Sequence, residues 1–215
     1  LCKKYNFNHI KKNNIGICGG RQFIAEHFAT SNSNYYIFLE DDMNICSSNM
    51  PVCKNGFARF VPDLFSKIIK IMDKESYDFI KFSYSEFFGD NGTQWAWYNV
   101  PQHIREKFWP EKSQLPKNGT DPDSPKTKFN NIKTLEGLSY ADGEIYYSNW
   151  PQIISKVGNK KLFLDTKWNK PFEQTWMSHI FQLSKDDKVR SAVLLLSPIN
   201  HERFDHYNAQ ERREN

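Results

Sequence analysis

The stretch YYIFLEDDM, Tyr35–Met43, decides how the chain is read. Five apolar or aromatic residues run without a break into Glu40, Asp41 and Asp42. A short continuous apolar run, rather than an alternating one, is the pattern of a strand buried on both faces and central in its sheet. Three neighbouring carboxylates repel one another, so they call for free solvation or for a shared cation. In open α/β sheets, ligands gather beyond the carboxyl ends of the strands, where these acids fall. Hard oxygen donors of this kind suit Mg²⁺ or Mn²⁺. A solvated acidic turn is the plainer alternative.

On the amino-terminal side, IGICGG (Ile15–Gly20) reads as a tight turn leading into a helix, RQFIAEHFAT (Arg21–Thr30). Phe23, Ile24 and Phe28 fall on neighbouring faces of that helix, and SNSN ends it. On the carboxyl side, VPDLFSKIIKIMDKE predicts a helix with Pro62 in its first turn and Leu64, Ile68 and Ile71 as an apolar stripe. YDFIKFSYSEF predicts a strand. Residues 90–135 read as a long irregular excursion around QWAWYNV. GEIYYSNWPQIISKVG predicts a short strand and a helix, and PFEQTWMSHIFQLS a helix with Pro171 and Glu173 near its first turn. SAVLLLSPI closes as a buried strand before a charged tail. Helices alternating with buried strands predict an α/β domain over 1–215, with a mostly parallel mixed sheet flanked by helices.

The totals suit one domain. The 215 residues are 39% hydrophobic and 15% aromatic, enough to build a core. A net charge of +4 suits a phosphate-bearing ligand, but no long basic block argues for nucleic acid. No apolar run approaches the roughly 20 residues of a membrane span, and no signal-like pattern opens the chain, so the cytoplasm is the expected compartment. The first residue is Leu1 rather than Met. Cys2, Cys18, Cys46 and Cys53 lack CxxC spacing and are expected as thiols, with a Cys46–Cys53 loop disulfide as the alternative. Asn91 and Asn118 head two glycosylation-type triplets that matter only in a secretory lumen.

NNIGICGGRQFIAEHFATSNSNYYIFLEDDM (Asn13–Met43) resembles the central segment of the GT-A-fold glycosyltransferases, especially the large family 2 type. There a Gly-rich turn, a basic residue and a helix precede a buried strand ending in a DxD-like acidic motif. GEIYYSNWPQIISKVGNKKLFLDTKWNKPFEQTWMSHIFQ (Gly143–Gln182) resembles the acceptor half of the same enzymes, in the same order. The resemblance implies a GT-A-like, Rossmann-related sheet, a nucleotide-sugar donor (UDP- or GDP-linked), a carbohydrate or glycoconjugate acceptor, and Mn²⁺ or Mg²⁺. Asp42 would bind the metal directly, Glu40 the donor ribose or a metal-bound water, and Asp41 the donor sugar or ribose. Gly20 and Arg21 would meet the nucleotide or its phosphates at a helix start, where N–H groups favour anions; a surface arginine is the alternative.

Glu173 corresponds to the family's catalytic base, although Glu-Gln stands where Glu-Asp is common, so one carboxylate must serve alone. Its alternative is a helix-start acid favoured by the macrodipole. His201 matches the position of a metal-binding histidine, with His206 as rival, and Arg203, Arg212 and Arg213 could fold over a diphosphate. Of the tryptophans, Trp95 and Trp97 are the better candidates to stack on sugar rings, while Trp150 and Trp176 suit the core. The family's first strand and nucleoside-binding loop should precede NNIGICGG, so the resemblance implies a chain that lacks them or is cropped from a longer protein. Two other functions share the acidic strand end: a metal-dependent nucleotidyl or phosphoryl transferase, which has no need of Glu173, and a nucleotide-sugar-binding module without turnover.

Overall fold

The computed structural model describes residues 4–41, 43–49, 60–82, 103, 107, 129–145, 147, 149–166 and 173–201. Asp42, Cys53, Asn91, Trp95, Trp97, Asn118, Arg203, His206, Arg212 and Arg213 lie outside the described residues. The elements are α1 (Gly16–Ala29), β1 (Tyr35–Phe38), β2 (Met43–Ile45), α2 (Leu64–Glu75), β3 (Phe79–Lys81), β4 (Phe129–Leu135), β5 (Leu138–Gly143) and β6 (Gln152–Ser155). Then come α3 (Lys156–Asn159) with a π-helical turn over Lys160–Leu164, α4 (Glu173–Lys185), β7 (Ser191–Leu194) and β8 (Ile199–His201).

Among the described residues, six strands form one sheet in the order β1-β6-β3-β7-β5-β4, and β2 pairs with β8 in a separate ribbon. The sheet is mixed as expected, but mostly antiparallel rather than mostly parallel. Only β3 and β7 are parallel neighbours, because β6 inserts antiparallel between β1 and β3. The β4–β5 hairpin adds two more antiparallel pairings, within and beside the segment read as irregular. Its turn is Glu136–Gly137, with φ of +54° and +76°. Positive φ at both central residues is what a two-residue hairpin requires to match strand twist.

β1 lies at an edge of this sheet, not at its centre, and its four residues are half-buried. Its unbroken apolarity has a different cause. The sheet is covered on both faces, and successive side chains point to opposite sides. Tyr35 and Ile37 pack with the α2 core of Leu64, Ile68, Ile71, Ile80, Ile153 and Leu194. Tyr36 faces the other core, where Ala25 of α1 and Trp176, Met177 and Ile180 of α4 meet Phe79, Ile154 and Phe163. Trp150 and Trp176 are buried.

The predicted stripe of α2 is buried as a unit, with Met72 added, while Pro62 lies just ahead of the N-cap Asp63. In α1 the helix begins at Gly16, so Ile17–Gly20 form its first turn rather than a loop. Its buried stripe is Arg21, Ala25 and Phe28, and Phe23 and Ile24 are only half-buried.

Two polar clusters fix the ends of these layers. Asp78 precedes β3 and is buried; its Oδ2 accepts from Lys161 Nζ at 2.7 Å and from the Arg190 backbone N–H at 2.8 Å. Its carbonyl accepts from the backbone N–H of Ser155 at 3.0 Å and from the Ser155 hydroxyl at 3.2 Å. The same hydroxyl accepts from Gly158 N at 2.9 Å, capping α3. On the α2 side, Lys133 Nζ donates to Glu75 at 2.6 Å, and Tyr77 donates to Asp142 at 2.8 Å. The Lys133 hydrogen bond holds Glu75 below its usual range. Burial pushes Asp142 up, but hydrogen bonds from Tyr77, Asn131 and Lys133 outweigh it and leave the carboxyl lowered.

A side chain at Gly158 would place its Cβ 2.7 Å from the Asp78 carbonyl carbon, a backbone atom with nowhere to move. Gly158→Ala should therefore cost about 1–3 kcal/mol by overpacking, read as a lower urea midpoint with an unchanged slope.

Candidate functional site

Short connections decide which ends meet. Only Thr30–Asn34 separate α1 from β1, so the helix runs back along the strand and its first turns lie at the strand's carboxyl end. Arg21, in the second turn, confirms this by lying against the ring of Phe38, the last residue of β1. α4 is likewise joined to β7 by a short turn, and Ser184 near its end meets Ser191 at the start of β7, hydroxyl to hydroxyl at 3.2 Å. The first residue of α4, Glu173, is therefore at the opposite end, beyond the carboxyl ends of β7 and β3.

The same edge carries the acidic motif. Glu40 and Asp41 follow β1 and are exposed. The chain then turns into β2, which pairs antiparallel with β8 in the register Met43↔His201, Asn44↔Asn200, Ile45↔Ile199. His201 thus sits opposite the residue that follows Asp42 in the chain, where Cα atoms of paired residues are about 4.5–5.5 Å apart. Of Glu173 and His201 the backbone position alone is described. Among the described residues, no three His, Cys, Asp or Glu side chains converge on a metal-sized site.

Gly20 is half-buried in the first turns of α1, and a Cβ there would meet nothing within 4 Å. Arg21 departs from expectation. It is neither a surface residue nor at the helix start, but 4% exposed beneath the second turn. Its Nε and Nη2 donate to Asn149 Oδ1 at 3.0 and 2.5 Å. Its Nη1 is buried and has no acceptor among the described residues.

Two further polar residues, Lys81 and Gln152, lie in this interior, and Asn149 is half-buried. The registers Phe38↔Gln152 and Gln152↔Lys81 put Phe38, Gln152 and Lys81 in one row across the sheet, on the face that α1 and α4 cover. Gln152 is fully buried and Lys81 is 1% exposed. Burial pushes the Lys81 amine from its ordinary 10.5 down to about 7. Burial also raises the Tyr36 hydroxyl well above the usual phenol range; Tyr147 adds to this and the Arg21 charge opposes it. The sequence carried a signal for Lys81: a lysine inside the apolar run YDFIKF is anomalous wherever both sheet faces are covered.

Compared with known proteins, the chain matches no family model, no curated protein and no solved structure. Among the described residues no helix is long and apolar enough to cross a membrane.

The unfolded chain keeps the Lys81 amine protonated up to its ordinary 10.5, whereas the folded chain releases that proton near 7. The unfolded state thus binds more protons between these values, and this residue's contribution makes stability rise with pH across that window. Lys81→Met should remove that slope. Urea titrations of both chains from pH 6.5 to 9.5 read the difference.

Proposed function

We propose that the chain is a metal-dependent glycosyltransferase domain of GT-A type, moving a sugar from a UDP- or GDP-linked donor to a hydroxyl of a carbohydrate or glycoconjugate acceptor. The observation that carries this reading is the β2–β8 register. It brings His201 opposite Met43, beside the Glu40–Asp42 motif, from a point far along the chain. Glu173 opens a helix directed at the same edge.

The donor set fits a hard divalent cation: carboxylates at the strand end and one histidine on the adjoining ribbon. Asp42 and His201 would hold the ion, with Glu40 and Asp41 directed to the donor's ribose and sugar. Bound there, Mn²⁺ or Mg²⁺ would supply electrostatic stabilisation of the departing diphosphate. Glu173 takes the proton of the acceptor hydroxyl as its oxygen forms the new bond to the anomeric carbon and the bond to the diphosphate breaks. Attack from the face opposite the leaving group inverts the anomeric centre. Gly20 leaves room for the donor beside α1, and Arg21 faces this edge from below.

A panel of nucleotide sugars with Mn²⁺ should reveal one whose nucleoside diphosphate is released in the presence of acceptor. Glu173→Gln should lower kcat by about 10²–10⁴-fold, the range of a lost general base, with little change in donor affinity. Asp42→Ala should abolish Mn²⁺ binding and the Mn²⁺-dependent turnover. Full activity in Glu173→Gln with release of pyrophosphate would instead identify a nucleotidyl transferase. Donor binding without turnover across the panel would identify a binding module.

A further inference from the structure

We propose that the stretch 4–17, which leads into the first turn of α1, seats the chain on an anionic lipid surface. Every residue of that stretch is exposed. Of the eleven large hydrophobic residues exposed among the described residues, five lie in it: Tyr5, Phe7, Ile10, Ile15 and Ile17, each 46% to 65% exposed. Large apolar side chains scattered singly over a surface need no explanation, but a cluster on one short segment marks an interaction surface.

The charge of the segment says what covers it. Residues 1–20 carry Lys3, Lys4, Lys11 and Lys12 and no acid, and the first acid of the chain is Glu26. Those four charges equal the net +4 of the whole chain, so residues 21–215 are neutral on balance. The lysines are interleaved with the apolar groups. Lys4 Nζ lies 5.1 Å from the centre of the Tyr5 ring, and Tyr5 stacks on Phe7 at 6.0 Å. Lys12 Nζ lies 4.0 Å from the centre of the Phe23 ring, a contact that ties the segment to α1.

An anionic bilayer matches both features. Its surface potential attracts nearby lysines, and its headgroup boundary takes up aromatic and aliphatic side chains. A nucleic acid would satisfy the lysines and stack on Tyr5 and Phe7, but its bases offer Ile10, Ile15 and Ile17 nothing comparable. An acidic polypeptide satisfies the charge alone. Docking on lipid requires neither metal nor turnover, so it stands apart from the transferase reading.

The test floats the whole chain through a density gradient with vesicles of phosphatidylcholine, alone or mixed with phosphatidylserine. The chain should rise with the mixed vesicles and not with phosphatidylcholine alone, and added salt should release it as screening shortens the reach of the lysines. The double variants Phe7→Ser with Ile10→Ser, and Lys4→Glu with Lys11→Glu, should each lower the partition coefficient by about tenfold or more. All four side chains are exposed, so both variants should keep the parent's Tm, which separates lost docking from lost folding. Failure to float with the mixed vesicles overturns the proposal, as does a loss confined to the lysine variant, which reports charge attraction alone. Equally tight binding to polyglutamate or single-stranded RNA, retained in Phe7→Ser with Ile10→Ser, overturns it too and identifies an acidic polymer as the partner.

Discussion

Covering a short-stranded sheet on both faces is the constraint on which the rest of this molecule depends. β3 has three residues, and each is shielded on one side by α2 or on the other by α1 and α4. Strands this short form a stable layer only if both surfaces are buried, because the hydrophobic contribution scales with apolar area removed from water. The aromatic residues supply that area: Tyr147 meets Phe79, Phe163 and Trp176 with ring centroids 5.6 to 6.1 Å apart. Polar groups on such strands cannot escape to solvent.

That constraint gives the interior polar residues their meaning. Asp78 resolves its burial completely, with a lysine and a backbone N–H on its carboxylate. Asp142 does the same with Tyr77, Asn131 and Lys133. Both are structural devices, tying α2 or α3 to strand ends. Arg21 is different, because its hydrogen-bonded neighbour is uncharged and one of its nitrogens lacks an acceptor among the described residues. In this respect the carboxyl edge of β1 and β3 differs from the other described polar clusters.

The chemistry of that edge comes from several parts of the chain: the first turns of α1, the residues after β1, the β2–β8 ribbon and the first residue of α4. Each arrives through a short connection that fixes direction more firmly than position. A helix following or preceding a strand by a few residues must run back along it, so both α1 and α4 present their amino-terminal ends at one edge. Partial positive charge at those ends suits anionic ligands and the carboxylate of Glu173 alike.

Much of the local structure was legible in the sequence. The stripe of α2, the start of α4 near Glu173, a strand ahead of Glu40 and the alternation of helices with strands all follow from apolar spacing. Spacing does not record partners. YYIFL is equally apolar at an edge or at a centre, so pairing had to place β1, and β6 made the sheet mostly antiparallel. The hairpin of Phe129–Gly143 was hidden because Asn130, Asn131 and Thr134 on its exposed strand are polar and its turn signal is a single Glu-Gly. Arg21 was read as a helix-start residue because glycines look like a turn, and only the packed helix placed it inside. The sequence alone determined which residue types stand at the strand end. Tertiary structure decided that His201 pairs opposite Met43 and that Arg21 and Lys81 share one face, because register and burial depend on segments more than a hundred residues apart.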